Sequence, residues 1–138
     1  MALRYLRIAD PFIRRGLAME QIRVAVYGTL KQGQGNHHFL SGAEYLGSTR
    51  LDGFALYDLG PWPAVKREPG QTQVEVYRVN AATFAALDEL EEYCAHAPHT
   101  GLYDRIQVDT PHGRAWLYLY NPTVEPGQRL TSGNWVSR

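Results

Sequence analysis

NAATFAALDELEEYC, residues 80–94, is the stretch that decides the fold class, because helical periodicity holds here while β-type runs surround it. Asn80 offers a side-chain acceptor at the point where a helix would begin, which suits an N-cap. Phe84, Leu87, Leu90 and Cys94 then recur at helical spacing. At about 100° per residue these four form one apolar stripe. Glu91 falls inside the stripe, Asp88 sits on its edge, and Glu89 and Glu92 fall outside it. One glutamate of three is therefore expected to point inward.

An inward carboxylate is expensive. Desolvation costs several kcal/mol unless the group is paired or takes up a proton, and burial raises its pKa toward neutrality. A general acid/base working near neutral pH needs such a group. A structural pairing with a core arginine, Arg105 or Arg114, accounts for an inward glutamate equally well, since ion-pair networks also bury carboxylates.

Outward from the helix the pattern turns to strands. A run at about 22–27, then Glu44–Arg50, Phe54–Asp58, Gln73–Val79, Asp104–Asp109 and Arg114–Tyr120 are short and rich in Val, Tyr, Leu and Trp. LDG, LGPWP, REPG and TPHG read as the punctuation between them. IQVDTPHGRAWLYLY reads as a hairpin turning at Pro111-His112-Gly113. Short strands around one long helix predict an α+β domain with a small, curved or closed sheet. The segment NPTVEPGQRLTSGNWVSR reads as loop, with Trp135 packing back onto the body.

Length and charge narrow the function. At 138 residues the chain fits one domain, and 44% hydrophobic with 12% aromatic residues argues for a folded core. Fourteen basic and fourteen acidic residues cancel, so neither nucleic acid nor a membrane surface is an expected partner. The single cysteine, Cys94, excludes an internal disulfide and suits a reducing, cytoplasmic compartment. Residues 1–21 read as an N-terminal extension, with Met19 the expected natural start, and 22–138 as the domain.

The loop YGTLKQGQ, Tyr27–Gln34, first suggests a phosphate cradle. Gly28 and Gly33 have the right spacing, but Gln34 and Gly35 stand where a P-loop needs Lys and then Ser or Thr. What survives is that glycines at a strand end let backbone N–H groups approach an anion closely, and a carboxylate suits such a nest as well as a phosphate does. A plain tight turn is the alternative. Asn36, His37 and His38 are expected to cap and pack a short helix over the loop. Cys94, His96 and His99 are too crowded, and lack a second cysteine, for a zinc site. No metal and no cofactor is expected, and no nucleophile motif is present.

Taken together, V-Y-G-T-L-K-x-G-x-x-N-H (Val26–His37), L-D-x-L-E (Leu87–Glu91) and Y-x-R (Tyr103–Arg105) resemble the gamma-glutamylcyclotransferase-like family, in its gamma-glutamylamine branch. Weaker echoes are Pro63-Ala64-Val65, the E-V-Y of Glu75–Tyr77, the A-W-x-Y of Ala115–Tyr118 and the S-G-N-W near the end. The resemblance implies an α+β fold, a small mixed β-barrel with flanking helices. It implies Glu91 as the catalytic acid/base, with Tyr27, Gly28, Thr29, Leu30 and Tyr103 binding a small γ-glutamyl substrate. The reaction implied is attack of the α-amine on the γ-carbonyl, releasing 5-oxoproline and a free amine. A non-catalytic small-anion-binding module on the same fold is the alternative. Glu92 departs from the family pattern, standing where many members have Gly, and Val74 departs likewise before Glu75.

Overall fold

The computed structural model describes residues 22–93 and 101–137. In chain order these form β1 (Arg23–Val26), a 3-10 turn (His37–Leu40), β2 (Glu44–Asp58), β3 (Pro63–Arg78), α1 (Ala81–Leu90), β4 (Tyr103–Val108), β5 (Ala115–Tyr120) and a second 3-10 turn (Pro126–Gln128). One five-stranded sheet runs in the order β2-β3-β1-β5-β4. β1 lies antiparallel to β3 and parallel to β5, while β2–β3 and β4–β5 pair antiparallel.

β1 is central and apolar on both faces because both faces are covered. Val24 and Val26 pack with Leu87, Tyr103 and Tyr118 on the helix side. Ala25 and Tyr27 point the other way, into a cluster with Val65, Leu117 and Trp135. The two-residue period of the strand thus divides the core into two layers.

The expected hairpin at Pro111–Gly113 forms, closed by reciprocal backbone bonds between Thr110 and Gly113 at 3.2 and 3.1 Å. The strands before it differ from the sequence reading. Glu44–Arg50 and Phe54–Asp58 are parts of one 15-residue strand. LDG does not break it: the pairing passes from Asp52–Gln71 to Phe54–Arg67, so Gly53, at φ 84°, stands opposite Glu68, Pro69 and Gly70 of β3. The glycine sits at a bulge, not a turn, and the extra residues of that bulge belong to β3. β3 likewise begins at Pro63 and runs through the REPG that reads as punctuation.

The expected barrel is corrected: the sheet is open. Among the described residues no ladder joins β2 to β4, and the two edges instead line a cleft formed by residues 49–54 and 107–114. His112 crosses toward β2, its Nε2 lying 3.3 Å from the Ser48 carbonyl oxygen. Side-chain contact stands where closure would need backbone pairing.

Asn80 caps α1 as expected, its Oδ1 accepting from the Thr83 N–H at 2.8 Å. The helix ends sooner than the periodicity predicts. Leu90 is its last residue, Glu91 is the C-cap and Glu92 takes a left-handed φ of 53°. That conformation commonly terminates helices and is usually given to Gly. The expected 1–21 extension, Cys94, His96 and His99 lie outside the described residues.

The chain after β5 is held down, and Trp135 is buried as expected. Its indole N–H donates to Asp58 Oδ1 at 3.1 Å. Lys31, also buried, donates from Nζ to Asn134 Oδ1 at 2.8 Å and to the Trp135 carbonyl at 2.6 Å. Among the described residues no helix is long and apolar enough to cross a membrane.

Candidate active site

In the loop after β1 the carbonyls of Gly28, Thr29 and Leu30 are engaged, while among the described residues their own amides are not. The Lys31 N–H donates to the Gly28 carbonyl at 3.0 Å and the Asn36 N–H to the Thr29 carbonyl at 2.8 Å. His37 Nδ1 lies 2.8 Å from the Leu30 carbonyl. Asn36 takes the N-cap position of the 3-10 turn as expected, but its side chain makes no cap bond; its Nδ2 donates instead to Thr29 Oγ1 at 3.0 Å. His38 is exposed. The N–H groups of Gly28, Thr29 and Leu30 have no acceptor among the described residues.

Gly28 is required sterically. A Cβ there would lie 2.6 Å from Pro63 Cγ and 2.7 Å from Cδ, closer than real carbon contacts. The E-V-Y echo acquires a structural role at this loop. Glu75 Oε1 accepts from the Gln32 N–H and from the Tyr77 hydroxyl, both at 2.9 Å.

Across from this loop lies Glu91. The two line one cavity of about 230 Å³, below the ~300–1,000 Å³ of drug-sized sites and suited to a single small ligand. All six residues singled out from the sequence line it: Glu91, Tyr27, Gly28, Thr29, Leu30 and Tyr103. Pro63, Asn36, Leu102, Tyr118, Trp62 and Glu92 complete most of the wall. Tyr118 and Pro63 carried a signal only as echoes of the family pattern. Trp62 and Leu102 carried none, because their loops reach the cavity through tertiary contacts.

The electrostatics single out Glu91. Burial pushes its carboxyl up to about 7. Its place at the C-terminal end of α1, where the helix dipole disfavours negative charge, acts in the same direction. Tyr27 and Tyr103 are raised well above the usual phenol range, by burial first and by the Glu91 charge as well, so both stay neutral. Their hydroxyls donate to backbone carbonyls, Tyr27 to Tyr118 at 2.7 Å and Tyr103 to Pro63 at 3.2 Å.

Neither arginine considered as a partner pairs with Glu91. Arg114 lies against Asp109 at 3.7 Å. Arg105 engages Asp88, Nε to Oδ1 at 3.0 Å and Nη2 to Oδ2 at 3.3 Å. Its guanidinium is also 4.3 to 4.5 Å from the ring centroids of Trp116, Tyr93 and Phe84, a setting that favours the cation on three sides. Asp88 additionally accepts from the Tyr118 hydroxyl at 2.6 Å. The carboxylate at the edge of the stripe is therefore the structural ion-pair partner. Among the described residues no ion pair involves the one inside it.

The sequence model of gamma-glutamyl cyclotransferase, AIG2-like proteins matches residues 24–137. The chain belongs to this family. It is 38% identical over 117 residues to the gamma-glutamylcyclotransferase family protein YtfP of Escherichia coli K12, covering 85% of this chain and 98% of that protein. The gamma-L-glutamyl-butirosin B gamma-glutamyl cyclotransferase of Niallia circulans is 36% identical over 101 residues, 70% of this chain and 65% of that protein. Among solved structures, PH0828 from Pyrococcus horikoshii superposes with a TM-score of 0.69 at 33% identity, covering 83% of this chain and 89% of that one. The open sheet with its one described helix is thus this family's mixed α+β fold.

Proposed function

We propose that the protein is a cyclotransferase acting on γ-glutamyl amines. The observation that carries this reading is the Glu91 carboxyl, raised to about 7 and without an ion-pair partner among the described residues, lining one small cavity with a loop whose three backbone N–H groups are likewise unused among them. In this reading the N–H groups of Gly28, Thr29 and Leu30 hold the substrate's α-carboxylate. Tyr27 and Tyr103, neutral and fixed by their own hydrogen bonds, form the walls that fold the glutamyl chain back on itself.

Ring closure needs only one molecule, so positioning supplies much of the rate. Glu91 takes a proton from the α-ammonium. The freed amine attacks the γ-carbonyl carbon, forming the new C–N bond of the five-membered ring. The old amide C–N bond then breaks as Glu91 returns that proton to the departing nitrogen; the second proton, lost by the attacking nitrogen as it becomes the lactam N–H, follows by way of Glu91, so that the amine leaves as an ammonium. The products are 5-oxoproline and a free amine, with no water consumed. An amine leaving group is supported by the relative named for its action on γ-glutamyl-butirosin.

Incubating the protein with γ-glutamyl amides of simple amines tests this. Release of 5-oxoproline and amine in equal amounts is expected. Binding of 5-oxoproline without turnover of any amide would instead mark an anion-binding module.

A further inference from the structure

Of the residues lining the cavity only two are exposed, Trp62 and Glu92, so these mark its mouth. Trp62 is 45% exposed, an unusual position for a large aromatic side chain. Its backbone is fixed between Pro61 and Pro63, and the Leu59 N–H donates to the Trp62 carbonyl at 3.0 Å. Glu92, the other exposed lining residue, is set by the left-handed turn that ends α1.

The charge of the lining is one-sided. It contains two carboxylates, Glu91 and Glu92, and no lysine or arginine among the described residues. The nearby cations are committed elsewhere, Lys31 to the Asn134–Trp135 segment and Arg105 to Asp88. If the glutamyl part of a substrate occupies the Gly28–Leu30 amides and Glu91, the substituent on its amide nitrogen leaves through the mouth.

We propose that Trp62 and Glu92 form a leaving-group subsite that selects amines carrying a second, protonated amino group and rejects those carrying a carboxylate. This rests on the cyclotransferase reading above. An ammonium group gains from the indole face and from the Glu92 carboxylate. A leaving amino acid or peptide brings a carboxylate to a rim that offers it repulsion and, among the described residues, no cation. Diamines, polyamines and amino sugars linked through one nitrogen are the fitting class.

The test uses three γ-glutamyl amides of matched length: one of a linear diamine, one of a linear monoamine and one of an ω-amino acid. Release of 5-oxoproline gives kcat/KM for each. The expected order is diamine, then monoamine, then ω-amino acid, with about tenfold or more between the ends at low salt, narrowing at about 0.5 M salt. Glu92→Gln should bring the diamine to ω-amino acid ratio to within about twofold, and Glu92→Lys should invert it. Glu89→Gln, an exposed change on the same helix, should keep the ratio.

Turnover of all three amides without that order, or a ratio unchanged in both Glu92 variants, overturns the subsite and leaves the cyclotransferase reading standing. No 5-oxoproline from any of the three overturns both.

Discussion

A carboxyl that folding makes harder to ionise costs the protein stability, and at Glu91 the cost has a definite pH window. The folded value of about 7 lies above the ordinary 4.5. As pH rises between them, the unfolded chain gives up this proton first, so stability falls across the window and the full cost is present above about 7. Between about pH 4 and pH 8 this amounts to about 3 kcal/mol. Gln mimics the protonated acid at every pH. Denaturation of Glu91→Gln is therefore expected to match the parent near pH 4 and to exceed it by up to that amount near pH 8. A variant less stable than the parent at pH 8 would make Glu91 a structural partner. Its inward position was legible from the 3.6-residue period, because that depends only on neighbours along one helix. That Arg105 does not pair with it was not, since this depends on Arg105 reaching Asp88 from β4.

At the scale of elements, short-range chemistry was the legible part. Asn80 as a cap and the Thr110–Gly113 turn were readable because each is fixed within four residues. The long β2–β3 pair was not, because Gly53 and Gly70 inside a strand have the same sequence appearance as turn residues. Only pairing with a distant partner decides between bulge and break. The same holds for the anchoring of residues 130–135, whose partner Lys31 lies about a hundred positions earlier in sequence. Lys31 has its pKa lowered by burial, with Glu75 acting the other way, and its hydrogen bonds to Asn134 and Trp135 offset that burial. Lys31→Met keeps most of the volume and removes the donor. A loss of about 1–3 kcal/mol is expected. Because the Gln73 N–H donates to the Gly133 carbonyl at 2.7 Å, its hydrogen exchange should quicken in this variant. Unchanged exchange at Gln73 would show that Trp135 holds the segment without Lys31.

Across the whole molecule, the sheet gathers the ends of four elements at one point. The C-terminal end of β1 brings Tyr27–Leu30, the start of β3 brings Pro63, the end of α1 brings Glu91 and the start of β4 brings Tyr103. An open sheet does this as well as a barrel, because the site is built around central strand β1 and not around the edges that closure would join. The family resemblance located these residues in the sequence, and the fold brings them to one cavity. The most direct test of the role given to Glu91 is the pH profile of kcat/KM for a γ-glutamyl amide, with both products quantified, in the parent and in Glu91→Gln. Expected are 5-oxoproline and amine in equal amounts, a rate rising through about pH 7 as Glu91 ionises, and a loss of about 10²–10⁴-fold in the folded variant. Glutamate in place of 5-oxoproline, or a Glu91→Gln variant that retains the parent's rate, would contradict that role.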